Sequence, residues 1–138
     1  MKALNCILLI DDNVDDNYYH TIIIQEANAA YHVRTATTGE KALEYLLEGK
    51  ECPDQFPFPN LVFLDINMPG MNGFEFLEKV KEIKLLDSGK SIIVVMLTSS
   101  LNPVDKKMVK DFFSGEVKAF KNKPLTTEML ADVIEKFF

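Results

Sequence analysis

The sequence predicts an α/β fold in which five β-strands alternate with five helices in one doubly wound parallel sheet. Three observations carry this expectation. Short runs such as Cys6–Ile10, Leu61–Leu64 and Ser91–Leu97 are apolar throughout, as strands covered on both faces must be. Longer stretches between them repeat their apolar residues at the helical period. The two kinds alternate five times, which implies parallel strands joined by right-handed crossovers, with helices on both sheet faces.

Taken in order, Cys6–Ile10 is a strand that ends in Asp11-Asp12. Val14 to Ala30 follows as an amphipathic helix, with Val14, Tyr18, Ile22, Ile23, Ala27 and Ala30 as its expected apolar face. Tyr31–Ala36 is a short strand. Thr37 or Thr38 caps a second helix through Leu47, and Gly49 is the expected stop. Residues 50–60 hold Pro53, Pro57 and Pro59, which break regular structure, while Phe56 and Phe58 give this loop something to bury.

The central strand, Leu61–Leu64, stops at Asp65 and is followed by turn formers through Asn72-Gly73. A helix is expected from about Gly73 to Leu86, with Phe74, Phe76, Leu77 and Val80 inward, and then a turn at Asp87-Ser88-Gly89. Ser91–Leu97 is the fourth strand and stops at Thr98-Ser99-Ser100. Asn102-Pro103 opens a helix to about Phe113, proline being tolerated in a first turn. Val104, Met108, Val109, Phe112 and Phe113 form its apolar stripe; Val104, Met108 and Phe112 can fill the core, leaving Phe113 and the terminal Phe137-Phe138 either as surplus apolar groups or as helix-end core. Val117–Lys121 is a strand ending in Asn122-Lys123-Pro124, and Thr126 caps the last helix to Phe138.

Composition narrows the function classes. At 138 residues a single domain over 1–138 is expected, and 47% hydrophobic content excludes disorder. A formal charge of −6 argues against a nucleic-acid-binding domain. Cys6 and Cys52 have no metal-ligand spacing, which fits reduced thiols in a cytoplasmic protein. The first apolar run is too short for a signal peptide, and no run approaches a membrane span.

The chemistry lies at the strand ends. Parallel strands bring their carboxyl ends to one edge, where open α/β sheets bind ligands. Asp11, Asp12, Asp65, Thr98 and Lys123 therefore converge. Mg²⁺ takes oxygen ligands, including one or two carboxylates. An Asp beside such an ion can act as a nucleophile on phosphorus, while a lysine and a hydroxyl neutralise and bind phosphoryl oxygens. Taken singly, each residue has a bland reading: helix cap for the Asp pair, turn residue for Thr98, solvated side chain for Lys123. Their joint placement favours a site.

These motifs (I-D-D-N, L-D-I-N-M-P-G-M-N-G, L-T-S-S and F-K-N-K-P-L) closely resemble those of response-regulator receiver domains, the phosphoacceptors of two-component signalling. The resemblance covers essentially the whole chain. It implies a flavodoxin-like (βα)5 sheet in the order 2-1-3-4-5. It further implies that Asp65 is phosphorylated, that Asp11, Asp12, Asp65 and the backbone carbonyl of Asn67 hold Mg²⁺, and that Lys123 binds the phosphoryl group. Thr98 is then the switch hydroxyl and Phe120 the switch aromatic. Ser99 is small and leaves the approach to Asp65 open, Lys123-Pro124 is a candidate cis peptide bond, and Asn67 and Ser100 influence phosphoryl lifetime. The implied partners are a sensor histidine kinase or phosphotransfer protein and a downstream protein, with a homodimer possible and no direct contact with nucleic acid or membrane.

Two departures from a minimal receiver stand out. The 50–60 loop is long, as in stand-alone receivers that include those paired with phytochrome-like histidine kinases; packing of Phe56 and Phe58 onto the domain is preferred over a partner site. No output domain is expected beyond the last helix, and output is expected through protein contact at the face of the fourth helix, fifth strand and fifth helix, or through onward phosphotransfer. Two other function classes compete. A Mg²⁺-dependent aspartate-nucleophile phosphatase would need an acid two residues past Asp65, where Asn67 stands. A receiver-like scaffold that is never phosphorylated would have no use for the full Asp-Asp-Thr-Lys set.

Overall fold

A computed structural model describes residues 2–83, 92–99 and 102–138. Strands β1 (Leu4–Ile10), β2 (Ala30–Ala36), β3 (Leu61–Leu64), β4 (Ile93–Thr98) and β5 (Val117–Asn122) alternate with helices α1 (Val14–Glu26), α2 (Gly39–Glu51), α3 (Gly73–Glu82), α4 (Pro103–Phe112) and α5 (Thr127–Phe137). All neighbouring strands pair in parallel, in the order β2-β1-β3-β4-β5. β3, β1 from Cys6 onward and β4 beyond Ile93 are buried, which explains the apolar runs Cys6–Ile10, Leu61–Leu64 and Val94–Leu97. Two cores result. Leu8, Ile10, Val62, Leu64 and Met96 pack beneath α2 and α3, while Ile7, Leu9, Phe63, Val95 and Leu97 meet α1 and α5. Among the described residues no helix is long and apolar enough to cross a membrane.

The helix starts follow local chemistry. Asn13, Thr38, Asn72, Asn102 and Thr126 each accept a backbone N–H of the first turn through the side chain. Asn72 and Glu75 bond reciprocally in a capping box, and Pro103 occupies the first turn of α4.

Several expectations are corrected. The first helix ends at Glu26 rather than Ala30: Asn28 takes a left-handed φ of 52°, and Ala30 opens β2. Its expected apolar face holds in the second half, where Ile23, Ala27 and Ala30 pack on the core, but not in the first. Val14 and Tyr18 are 66% and 70% exposed, whereas Asn17, His20 and Ile24 are buried. The amino-terminal half of α1 lies beside the polar edge of the sheet, so its inner face there is polar.

Gly49 does not stop α2, which runs to Glu51; it lies inside the helix where the loop backbone crosses. The third helix is described only to Glu82, and Leu86 and the turn at 87–89 lie outside the described residues. The fourth strand begins at Ile93 in the description, Ser91 lying outside it. In α4 only Val109 and Phe113 of the expected apolar stripe meet the core. Val104, Met108 and Phe112 are exposed, and Phe113 is buried and stacked on Phe74 with ring centroids 5.7 Å apart. One residue is about 100° of helix, so seating α4 through Val109 and Phe113 turns Phe112 outward.

The 50–60 loop is held by Tyr45 of α2 and by its own Phe56 and Phe58. The Tyr45 hydroxyl donates to the Pro57 carbonyl at 2.5 Å, and Phe56 meets the Tyr45 ring edge-on at 5.8 Å. Phe58 packs on the α2/α3 core. Asn60 Oδ1 accepts from the amides of Asn5 and Cys6, tying the loop's end to β1.

Candidate functional site

The strand register assembles the site. Ile10 pairs with Leu64, so the residues that follow, Asp11 and Asp65, emerge side by side. The Asp65 amide continues that ladder to the Ile10 carbonyl at 2.9 Å, and the Asp11 amide reaches Ala36 at 3.0 Å. Thr98 pairs with Asn122, and the next amide, that of Lys123, donates to the Thr98 carbonyl at 2.9 Å. Adjacency at one sheet edge thus follows from parallel pairing alone.

Carboxylate oxygens of Asp11, Asp12 and Asp65 lie within 4.8 Å of one another. Asp11 and Asp65 are buried and Asp12 is exposed, so the cluster opens to solvent on one side. Backbone bonds orient the two buried acids: Asp65 Oδ1 accepts from Ile66 N at 2.8 Å and Asp11 Oδ1 from Asn13 N at 2.9 Å. Lys123 Nζ contacts Asp11 at 2.5 Å, Asp16 at 2.8 Å and Asp65 at 3.3 Å. Thr98 is completely buried at the end of β4, and Ser99 is exposed beside it. The Lys123–Pro124 peptide bond is cis.

One ammonium is shared by three carboxylates, with Asp12 beside two of them, and this excess of acid sets the electrostatics. Burial disfavours the charge on Lys123, yet the hydrogen bonds it donates to Asp11 and Asp16 and the charge of Asp65 together raise its pKa well above the ordinary lysine value. Burial pushes the Asp11 carboxyl above its usual range, aided by the Asp65 charge and opposed by Lys123 and the Asn13 amide. The residual negative charge and the all-oxygen donor set suit a hard divalent cation.

Other predicted residues lie farther out. Asn67 is exposed two residues past Asp65, and Ser100 lies outside the described residues. Phe120 is half-buried on β5, with Lys106 Nζ 5.7 Å from its ring centroid. It borders a groove of about 360 Å³ between α4 and β5, whose floor is Val109, Val117 and Ala119.

Three residues on α1 were not foreseen. Asp16 is the third carboxylate on Lys123. Asn17 Nδ2 donates to the Asp11 carbonyl at 2.8 Å, and His20 Nε2 accepts from Leu125 N at 3.2 Å. A signal existed in the spacing: residues 16, 17 and 20 are polar and share one helix face. The apolar residues of the opposite face masked it.

Comparison with known proteins agrees with this geometry. The profile of the response regulator receiver domain matches residues 7–135. The two-component response regulator ARR17 of Arabidopsis thaliana is 38% identical over 125 residues, covering 86% of this chain and 75% of that protein. A two-component response regulator from Cytophaga hutchinsonii superposes with a TM-score of 0.85 at 32% identity, covering 98% of this chain and 97% of the other. The bacteriophytochrome response regulator AtBRR does so with a TM-score of 0.74 at 32% identity, covering 97% and 92%. With its 2-1-3-4-5 sheet and a pocket of Asp11, Asp12, Asp65 and Lys123, the chain belongs to the response regulator receiver domains, the phosphoacceptors of two-component signalling.

Proposed function

We propose that Asp65 is the phosphoacceptor and that it takes a phosphoryl group from the phosphohistidine of a sensor histidine kinase or phosphotransfer protein. The observation that carries this reading is the contact of Lys123 Nζ with Asp65 in a pocket of buried acids at the carboxyl edge of the sheet. An Asp65 oxygen forms the new bond to phosphorus as the bond from phosphorus to the donor nitrogen breaks, and the imidazole leaves with the electron pair. The Ile66 amide holds Asp65 Oδ1, fixing the carboxylate's orientation before attack. Lys123 neutralises charge on the transferring oxygens.

Asp11, Asp12, Asp65 and the Asn67 carbonyl are the groups that would hold Mg²⁺, which when bound supplies charge neutralisation to the phosphoryl oxygens. Ser99, small and exposed, leaves the donor's path open. After transfer, Thr98 bonds the phosphoryl group and Phe120 moves inward, changing the face made by α4, β5 and α5. That face then engages a downstream protein or a second copy of the chain.

The test is incubation with acetyl phosphate and Mg²⁺, read by intact mass. Wild type gains one phosphoryl group and Asp65→Asn gains none. No gain on wild type, or equal gain on both, overturns the reading and leaves the scaffold alternative.

A further inference from the structure

Lys123 is held from two directions. Its ammonium is bound by acids, and the backbone just beyond it is bound by a histidine. His20 lies on α1, 105 residues from Leu125 in sequence, and its Nε2 accepts the Leu125 amide at 3.2 Å in a buried setting. Leu125 is 1% exposed and precedes the start of α5, so no helical carbonyl serves that amide. One turn earlier on α1, Asp16 binds Lys123 Nζ at 2.8 Å. Asp16 and His20 therefore bracket the Lys123-Pro124 dipeptide, one on each side.

The acceptor role assigns the imidazole's form. Nε2 must be unprotonated to accept, which places the hydrogen of the neutral ring on Nδ1. Burial lowers the His20 pKa and so supports the neutral ring. The Tyr19 ring meets the imidazole edge-on at 5.8 Å. An apolar side chain would be the ordinary choice for a buried helix face, and it would leave the Leu125 amide buried without a partner.

We infer that His20 is a positioning residue for phosphoryl transfer: by holding the Leu125 amide it aims Lys123 at Asp65. It touches neither reactant and acts through Lys123. The inference rests on the phosphoacceptor reading above. It predicts that losing the acceptor lets the 123–125 segment drift, and drift of the lysine slows transfer without weakening the acidic triad.

The experiment measures the initial rate of phosphorylation by acetyl phosphate, with the Mg²⁺ affinity of the unphosphorylated chain measured in parallel. His20→Leu should slow the rate on the order of tenfold, since small misplacements of a reacting group carry costs of this size. Its Mg²⁺ affinity should not fall below that of wild type, because Lys123 is not an ion ligand. His20→Gln, whose amide oxygen can take the place of Nε2, should restore most of the rate. His20→Asn, polar but too short to reach the Leu125 amide, should remain slow and serves if the leucine variant does not fold. In a Lys123→Gln background, His20→Asn should add no further loss. A wild-type rate in His20→Asn overturns the inference. So does equal loss in the Gln and Asn variants, a parallel fall in Mg²⁺ affinity, or an undiminished effect without Lys123. Failure of wild type itself to be phosphorylated would instead overturn the phosphoacceptor reading.

Discussion

Gly73 sits so close to Asp65 that a Cβ built on it would lie 2.6 Å from the Asp65 carbonyl oxygen and 3.0 Å from the Ile66 Cα. The Gly73 amide donates to the Ile66 carbonyl at 2.9 Å, drawing the start of α3 under the end of β3. The obstructing atoms are backbone atoms of the site, so they cannot step aside as a flexible side chain would. Gly73→Ala is expected to cost roughly 1–3 kcal/mol, the usual range for overpacking, and to slow phosphorylation by shifting Asp65. Urea unfolding and the acetyl phosphate rate check the two effects separately.

Lys123 should matter most when no cation is present. Its side chain and those of Asp11 and Asp65 are largely buried, while that of Asp16 is about a third exposed. Lys123→Met leaves the acids without their ammonium, at an expected cost of about 2 kcal/mol, below the usual figure for breaking a fully buried pair because the pocket opens to solvent. Mg²⁺ should recover part of that loss, so the gap between variant and wild type in urea midpoint should narrow as Mg²⁺ is added.

Burial lowers the His20 pKa below its ordinary 6.5. Above that value both folded and unfolded chains hold a neutral imidazole, and His20 contributes nothing to pH dependence. As the pH falls through it, the unfolded chain takes up the proton first, so stability declines until the pH passes the lowered folded value. His20→Gln should remove this component. Unfolding free energies measured from pH 8 downward should show wild type losing more stability than the variant, with the difference opening near pH 6.5.

Gly49 sets helix propensity against a close crossing. Alanine is favoured over glycine inside a helix by about 1 kcal/mol, yet a Cβ here would lie 2.8 Å from the Phe56 carbonyl oxygen. The loop backbone is held there by the Tyr45–Pro57 hydrogen bond and the Tyr45–Phe56 ring contact. The clash should win, and Gly49→Ala should lower the thermal midpoint rather than raise it.

Adjacent phenylalanines should respond in opposite ways. Phe113 is 3% exposed and stacked on Phe74, so Phe113→Ala should cost about 3–5 kcal/mol, as buried Phe truncations do. Phe112 is 64% exposed, and Phe112→Ala should stay within about 0.5 kcal/mol of wild type. Paired denaturant titrations decide it.

The helix faces were the least legible feature of the sequence. Val14 and Tyr18 have the right spacing for a core stripe, as do Val104, Met108 and Phe112, and all five are exposed. Periodicity says which residues of a helix share a face, but not which face meets the sheet. That depends on where the helix docks. α1 begins at the polar edge, so Asn17 and His20 point inward, and α4 is seated by Val109 and Phe113.

The strand ends were far more legible. A strand in the middle of a parallel sheet must be apolar on both faces, so the first polar residue after each run marks the edge where ligands bind. Asp11, Asp65 and Thr98 could be read this way because each is a local break in an apolar run. The alternation of strands and helices, the helix caps and the convergence of those residues are therefore properties of the sequence itself. The bracket around Lys123 is not. Asp16 lies 107 residues from the lysine it binds, and His20 lies 105 from the amide it holds. Only packing of α1 against the loop between β5 and α5 brings them together, because sequence periodicity reports neighbours along an element and tertiary docking decides neighbours between elements.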